Sequence, residues 1–282
     1  GIHTGKDCFV TISPAPENTG IIFRVDGVEI EALHSNVVNT SRATCLGKDG
    51  VRLDTVEHLL SACAGLKISN VIIDVEGPEI PILDGSAIPW VEELLKVGIE
   101  EMGSFCNVLR FEKTIVHQSN GSLMIAVPSE NFSLTCVIIF DHQMLGTAAE
   151  TFCEDPNDYV NMIAPARTFA MSEEIEKLKE SGLALGGSLD NALVIYPDHF
   201  SSALRVENEC LRHKALDLFG DLSLAGGKIC AAVTAIRPGH KVNTEFAGIL
   251  ANNAKNYSLN DLADGLKSVK ETESQGVSHA RY

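Results

Sequence analysis

Apolar and polar residues alternate in short runs along the first part of the chain, and a helical spacing of apolar residues interrupts this alternation twice. The alternating runs predict strands at residues 6–13, 21–25, 43–46, 51–53 and 71–75. The helical spacing predicts helices at about 54–65 and 87–97. Asp54 or Thr55 could accept hydrogen bonds from the first free N–H groups, so the first helix is predicted to begin there.

The same order of elements begins again after residue 107. Strands are predicted at residues 108–117, 123–127, 132–140, 192–196 and 229–235. Helices are predicted at 172–181, 210–224 and 242–252, and 141–166 is predicted to be mostly loop. Residues 253–282 are polar with little periodicity, which predicts a solvated helix followed by a partly disordered tail.

Strands followed by helices, twice over, predict an α+β fold rather than alternating β-α-β units. A chain of 282 residues is long enough for two domains with separate cores. We therefore predict a first domain at 1–103, a second at 104–252 and a tail at 253–282.

Composition narrows the classes of partner. A formal net charge of −16 disfavours binding to nucleic acid or to an anionic membrane surface, although a local basic pocket could still take an anionic small molecule. The apolar runs are too short to span a bilayer, so stable membrane insertion is not expected. Eight cysteines without any C-x-x-C pair are typical of buried thiols in a reducing compartment, which predicts a cytoplasmic protein.

One helical stripe carries the first candidate chemistry. In the predicted helix at 210–224, the side chains of His213, Asp217 and Asp221 are spaced four apart and therefore share one face. An imidazole and a carboxylate at this spacing can share one metal ion, as pairs of histidines do in helical zinc motifs. A surface hydrogen bond is the commoner use of such a pair, so both interpretations stay open.

The adjacent residues Glu57 and His58 are predicted in the first turn of another helix. Neighbouring helical side chains diverge by about 100°, so His58 could hold a metal while Glu57 faces a water molecule beside it. A catalytic zinc ion needs three protein ligands and an open position, and His58 with His213 and Asp217 would make that set. Glu57 would then be the general base. The alternative is a partly exposed pair at a helix start.

His240 follows a predicted strand and precedes a predicted helix, where loops gather. As an imidazolium it could stabilise an oxyanion and later protonate a leaving amine, with Asp221 as the group that orients it. A buried histidine with satisfied hydrogen bonds is the alternative.

Two short motifs carry less information by themselves. Thr168 and Phe169 follow Arg167 in a predicted loop, where a hydroxyl and a core aromatic need no catalytic explanation. The glycines at 186 and 187 lack the order of a phosphate loop or a dinucleotide fingerprint, which excludes a nucleoside triphosphate site there.

Taken together, these stretches resemble the UDP-3-O-acyl-N-acetylglucosamine deacetylases of lipid A biosynthesis. The resemblance covers most of residues 1–250, and its segments keep one order and one spacing. They are residues 1–5 (GIHTG), 55–59 (TVEHL), 78–81 (PEIP), 84–87 (DGSA), 167–169 (RTF), 186–188 (GGS), 213–217 (HKALD), 220–222 (GDL) and 239–240 (GH).

The resemblance implies two domains of similar topology, each a sheet with helices packed against it, with the active site between the helix layers. It implies a zinc ion held by His58, His213 and Asp217, with Glu57 as general base. His240 would be the cationic group, supported by Asp221.

The resemblance also implies groups that bind the substrate. Thr168 would donate to the tetrahedral oxygen, and Lys214 and Phe169 would contact the sugar nucleotide. A strand-helix-strand insert at about 167–195 would form an acyl-chain passage, and a small β insert would lie at about 34–53. The passage residues would be Ile175, Ala184, Leu189, Ala192 and Val194.

The sequence thus predicts a monomeric zinc amidohydrolase that removes acetate from the 2-acetamido group of an acylated UDP-sugar. One alternative is a zinc hydrolase of another acetylated sugar or amide. Another is a non-catalytic protein that binds a nucleotide sugar or a lipid.

Overall fold

Helices from the first and second parts of the chain pack against each other, and the chain also forms two mixed β-sheets. A computed structural model describes residues 1–103 and 106–256 of the protein. The α+β class predicted from the sequence is confirmed. No helix within these described residues is long and apolar enough to cross a bilayer.

The first sheet has four strands in the order β1-β7-β2-β3. The strands of this part of the chain are β1 (Phe9–Pro14), β2 (Ile21–Val25), β3 (Val28–Glu31), β4 (Val37–Asn39), β5 (Cys45–Lys48), β6 (Val51–Leu53) and β7 (Val71–Glu76). Every second residue of β7 is buried, namely Val71, Ile73 and Val75. Because side chains alternate across a strand, this pattern gives the sheet one core-facing side.

The second sheet follows the order β12-β11-β15-β10-β9, and β8 extends it by pairing with β15 and β16. The strands of this part are β8 (Val108–Arg110), β9 (Ile115–Ser119), β10 (Ser122–Pro128), β11 (Ser133–Ile139), β12 (Thr147–Cys153), β13 (Phe169–Met171), β14 (Leu193–Ile195), β15 (Lys228–Ile236) and β16 (Lys255–Asn256). Leu134, Cys136 and Ile138 on β11 are buried and alternate with more exposed residues, so this sheet also has one core-facing side.

Buried apolar side chains from both sheets and from the helices belong to one continuous hydrophobic core. They are α1 (Glu57–Gly65), α2 (Ile88–Val97), α3 (Pro156–Asp158), α4 (Ile175–Glu180), α5 (Glu209–Ser223) and α6 (His240–Asn253). Helix α1 packs against α5, and α5 packs against α6. At the first crossing, Gly220 lies so close to α1 that a Cβ there would be 2.1 Å from the Glu57 carbonyl oxygen. A glycine is therefore required for this close approach.

Two small sheets lie in the stretches predicted as inserts. β4, β5 and β6 form a three-stranded antiparallel sheet within residues 34–53. β13 and β14 form a parallel pair with α4 between them in sequence, within residues 167–195. The division into domains at residue 103 stays a prediction.

The structure corrects several predicted elements. The strand predicted at 108–117 is two strands, β8 and β9. The stretch at 141–166, predicted as loop, contains β12, α3 and one π-helical turn at Tyr159–Ile163. Phe169, predicted in a loop, begins β13. The pattern failed at β12 because this edge strand buries only Phe152, so its sequence lacks a regular apolar face.

The predicted cap of α1 is also wrong. The N-cap is Val56, which makes no side-chain capping bond, and Thr55 instead donates its hydroxyl hydrogen bond to Glu79 Oε1 at 3.0 Å. Thr55 adopts a positive φ of 60°, which turns the chain into the helix. At the other end of the chain, Lys255–Asn256 pairs with β8, so the predicted helix in the tail does not begin at 253, and residues 257–282 lie outside the described part.

Candidate metal centre

His58 on α1 and His213 and Asp217 on α5 converge on one point at the crossing of these helices. One potential ligand atom from each residue lies within 4.8 Å of the other two. All three side chains are buried, with exposed fractions of 3%, 2% and 1%. The structure therefore brings together the three residues predicted as metal ligands, although they are separated by about half the chain.

The distances within this triad suit a small divalent ion. Asp217 Oδ1 lies 3.4 Å from His213 Nε2 and 3.9 Å from His58 Nε2. Tetrahedral zinc with Zn–N and Zn–O distances of about 2.0–2.1 Å would place neighbouring ligand atoms roughly 3.3–3.4 Å apart. The His213–Asp217 distance already matches this value, whereas His58 Nε2 would have to approach Asp217 Oδ1 by about half an ångström.

The hydrogen bonds of the triad leave its inner atoms free. Asp217 Oδ2 accepts a 2.7 Å bond from Lys214 Nζ, whereas Oδ1 is buried without a partner among the described residues. His213 Nδ1 donates to the Ala166 carbonyl oxygen at 3.1 Å, so the lone pair of Nε2 faces the triad. A buried carboxylate oxygen without a donor is costly, and a bound cation would satisfy it. The residues present therefore fit a metal ion.

The ionisation states also suit a metal. Burial and the neighbouring His213 lower the pKa of His58 to about 3, and burial lowers the pKa of His213. Burial opposes ionisation of Asp217, but positive charge around it, that of Lys214 first, holds its pKa below the ordinary value. At neutral pH the triad is two neutral imidazoles and one carboxylate, which is a donor set that zinc accepts.

Glu57 is the first residue of α1 and lies beside His58. Its side chain is 2% exposed, and its Oε2 accepts a 3.0 Å bond from the main-chain N–H of Thr44. Burial raises the pKa of Glu57 to about 8, opposed by the positive charge of His240 and aided by the charges of Asp221 and Asp217. A carboxyl with a pKa near neutrality can both take and return a proton.

His240, predicted to precede the helix at 242–252, is the first residue of α6, and its Nδ1 lies 3.0 Å from Asp221 Oδ2. Burial opposes protonation, but the negative charges of Asp221 and Asp217 raise the pKa of His240 to about 9. With Nδ1 occupied by Asp221, Nε2 is the nitrogen that remains for other partners. The predicted pair of His240 and Asp221 is therefore in contact.

Three further residues were not predicted as site residues, although Glu79 lies in the 78–81 segment that carries the family resemblance. Thr44 donates its hydroxyl to Asp221 Oδ1, and Asn243 Nδ2 donates to Asp221 Oδ2 at 2.9 Å. Glu79 is completely buried and accepts hydrogen bonds from the main-chain N–H groups of His3 and Thr4. Each of these contacts joins residues at least 22 positions apart in the chain, so local spacing does not reveal them.

Of the residues predicted to bind the sugar nucleotide or the tetrahedral oxygen, Phe169 and Lys214 contact the triad or each other. The Phe169 ring centroid lies 6.1 Å from that of His213, and Lys214 Nζ lies 5.6 Å from the Phe169 centroid. Thr168, half-buried, donates its main-chain N–H to the Gly85 carbonyl oxygen at 2.7 Å. These contacts place Phe169 and Lys214 at the edge of the candidate centre.

The predicted passage residues are not equivalent. Val194 is buried, whereas Leu189 is 61% exposed. Ile175, Ala184 and Ala192 are half-buried. The segment around Ala184 is held to the start of the chain, because the N–H groups of Leu185 and Gly186 donate to the carbonyl oxygens of His3 and Ile2 at 3.2 and 3.0 Å.

Comparison with known families matches residues 1–252 to the family described as LpxC: UDP-3-O-acyl N-acetylglycosamine deacetylase. The chain belongs to this family. The resemblance identified from the sequence is therefore confirmed.

Two curated relatives are similar over most of the chain. The UDP-3-O-acyl-N-acetylglucosamine deacetylase of Syntrophotalea carbinolica is 39% identical over 265 residues, which cover 92% of this chain and 86% of that protein. The bifunctional enzyme LpxC/FabZ of Bacteroides thetaiotaomicron is 39% identical over 279 residues, covering 88% of this chain. The matched region is 60% of that longer protein.

Proposed function

We propose that the protein hydrolyses the 2-acetamido group of UDP-3-O-acyl-N-acetylglucosamine and releases acetate, in lipid A biosynthesis. The observation that carries this proposal is the buried Asp217 Oδ1, which has no partner among the described residues and faces two neutral imidazoles. Family membership gives the substrate class, and a cytoplasmic, monomeric enzyme is part of the proposal.

We assign the metal as zinc, held by His58, His213 and Asp217. Zinc bound by three protein ligands with a fourth position open is a Lewis acid that lowers the pKa of water and polarises a carbonyl. Lys214 supports this assignment, because it occupies Asp217 Oδ2 and leaves Oδ1 available.

Glu57 is the proposed general base. Its carboxylate takes a proton from the attacking water as the new C–O bond forms at the acetyl carbon. Burial raises the pKa of Glu57 and so favours the protonated carboxyl after the transfer, whereas a bound dication would favour the carboxylate before it. The main-chain N–H of Thr44 holds one carboxylate oxygen, so the other is available for the water.

His240 is the proposed cationic group. With a pKa of about 9, its imidazole is protonated at neutral pH, so Nε2–H can stabilise negative charge on the carbonyl oxygen. The same proton can pass to the nitrogen as the C–N bond breaks and the amine leaves. Asp221 holds Nδ1 and thereby orients the ring, and Thr168 is proposed as a second donor to the oxygen.

Substrate recognition is assigned to groups next to the triad. Lys214 and Phe169 would contact the sugar nucleotide, since a cation and an aromatic face together suit an anionic nucleotide with a sugar ring. Ile175, Ala184, Leu189, Ala192 and Val194 would line the acyl passage. Burial of an acyl chain there would make turnover depend on that chain, because apolar burial supplies binding energy.

The test is an assay for released acetate with two sugar nucleotides, one carrying the 3-O-acyl chain and one lacking it. We expect turnover of the acylated substrate only, with activity lost after chelation and restored by zinc. Metal analysis should find about one zinc per chain. A zinc-free protein that binds the acylated sugar nucleotide without releasing acetate would instead be a binding protein.

A further inference from the structure

Thr44 lies at the junction of the three helices that carry the candidate catalytic groups. It is completely buried and immediately precedes β5 of the small sheet formed by β4, β5 and β6. Its contacts reach α1, α5 and α6, although 13, 177 and 196 residues separate it from its partners there.

The main chain of Thr44 holds the start of α1. Its N–H donates to Glu57 Oε2 at 3.0 Å, and its carbonyl oxygen accepts a 3.2 Å bond from the N–H of Val56, the N-cap residue. Two bonds from one residue thus fix both the beginning of the helix and the carboxylate on its first turn.

The side chain of Thr44 holds the other half of the site. Its hydroxyl donates to Asp221 Oδ1, and the Thr44 hydroxyl oxygen lies 3.3 Å from His240 Nδ1. Asp221 Oδ2 takes the remaining donors, from His240 and from Asn243 at 3.0 and 2.9 Å. Removal of the hydroxyl would leave Oδ1 of a buried carboxylate without this donor.

We propose that Thr44 is a positioning residue that fixes the proton acceptor and the cationic group of the reaction relative to each other. The inference rests on the proposed function, because it takes Glu57 as the acceptor and His240 as the cation. A β-branched side chain suits this role, because its χ1 angle is restricted and the hydroxyl is held towards Asp221.

The position of Thr44 also gives the small sheet a function. Because Thr44 precedes β5, the antiparallel pairing of β5 with β4 and β6 holds the residue in place. A displaced Thr44 would shift the Asp221 carboxylate and the His240 ring while leaving the residues proposed to bind the substrate in position. The expected consequence is lower turnover at nearly constant substrate affinity.

The first test compares Thr44→Val, Thr44→Ser and Ser61→Ala in the zinc-loaded enzyme. Valine keeps the shape and the main-chain bonds but removes the hydroxyl, whereas serine keeps the hydroxyl. Ser61 is the matched control, since it is a completely buried hydroxyl on α1 whose partner is the Tyr159 hydroxyl, 2.8 Å away.

We expect Thr44→Val to lower kcat about 10–100-fold, the range typical of residues that orient a metal-site group, with KM changed less than about threefold. Thr44→Ser should stay within about threefold of wild-type kcat, and Ser61→Ala should keep wild-type kcat even if its thermal midpoint falls. A Thr44→Val enzyme with wild-type kcat would overturn the inference, as would an equal loss in Thr44→Ser.

A second readout does not depend on turnover. The His240 imidazole can be titrated by NMR in metal-free protein, with its signal assigned from a His240→Gln sample. Thr44→Val should move the midpoint by more than about 0.3 pH units, because a hydrogen bond beside the ring is lost, and Ser61→Ala should leave it unchanged.

The two readouts separate the possible failures. If wild-type protein releases no acetate but Thr44→Val shifts the His240 titration, the proposed function fails and the positioning by Thr44 stands. If wild-type protein is active and Thr44→Val alters neither kcat nor the titration, the proposed function stands and the inference about Thr44 is wrong.

Discussion

Gly220 of α5 lies directly against the main-chain carbonyl of Glu57 in α1, and a Cβ on Gly220 would be 2.1 Å from that oxygen. This approach sets the separation of the two helices. It therefore also sets the distance between His58 on one helix and His213 and Asp217 on the other.

Substitution of this glycine should separate the helices. Gly220→Ala would force main-chain atoms apart, and overpacking of this kind costs about 1–3 kcal/mol of unfolding free energy or more. We expect a lower thermal midpoint together with weaker zinc binding, measured by calorimetry and metal titration. Gly103→Ala is the control, because among the described residues its Cβ would meet only Glu17 Oε1, at 3.7 Å. Wild-type zinc affinity in Gly220→Ala would show that the approach does not set the ligand geometry.

Loss of the carboxylate charge should abolish metal binding before it abolishes folding. Asp217→Asn keeps the side-chain shape but removes the anion between Lys214 and the two histidines. Since residues that only orient metal ligands contribute about 10–100-fold to affinity, we expect this ligand substitution to weaken zinc binding by more than about 100-fold. The measurement is a competition titration with a chromogenic chelator.

Asp198→Asn is the matched control for that titration. Asp198 is an exposed carboxylate beside His199, with 80% of its side chain accessible. The Asp198→Asn variant should bind zinc with the same affinity as the wild-type protein. Equal affinities of Asp217→Asn and Asp198→Asn would remove Asp217 from the ligand set.

Turnover should fall on the alkaline side as His240 loses its proton. The pKa of His240 is raised to about 9, so the imidazolium is present at neutral pH and disappears as the pH rises through about 9. A bound dication adds positive charge and can only move this limit to lower pH. We expect a descending limb in the pH profile of kcat that ends at or below about pH 9.

His240→Gln checks the origin of that limb. Removal of one charge-stabilising group commonly costs 10²–10³-fold in kcat, so we expect a loss of about this size. The descending limb should vanish with it. A variant that keeps the wild-type alkaline limb would assign the limb to another group.

The buried ion pair between Arg167 and Glu209 should be important for stability. Glu209 accepts the Arg167 Nε–H at 2.7 Å and is completely buried, so it joins the start of α5 to the residue before Thr168. Glu209→Gln would leave a buried guanidinium without its anion, at a cost of about 3–5 kcal/mol of unfolding free energy. Urea titration measures this loss.

A surface pair supplies the comparison. Glu93 and Lys96 on α2 are 69% and 74% exposed, at 3.4 Å. Glu93→Gln should change the unfolding free energy by less than about 0.5 kcal/mol, because water screens such pairs. If Glu209→Gln and Glu93→Gln lowered the unfolding free energy by similar amounts, burial would not be what makes the Arg167–Glu209 pair important.

The parts of the fold that the sequence predicted well are those with a local signal. Spacing of four residues placed His213, Asp217 and Asp221 on one face, and α5 does carry them on one helix. The cap of α1 was predicted wrongly, because Thr55 bonds to Glu79, a tertiary partner that helix propensity does not reveal.

The site was predictable only where chemistry and local spacing coincide. Thr44 is a hydroxyl in a short predicted hairpin, and nothing near it in sequence shows that it contacts Asp221. Family resemblance indicated where His58 and α5 meet, but the glycine contact that determines the distance between the helices appears only in the three-dimensional packing.

His58 comes from α1, which precedes β7 of the first sheet, while His213 and Asp217 come from α5, which precedes β15 of the second. A cation bound by these side chains would cross-link α1 to α5, two helices from distant parts of the chain. The free energy of metal binding would then stabilise the packing of α1 against α5. We expect chelation to weaken this helix contact before either sheet unfolds.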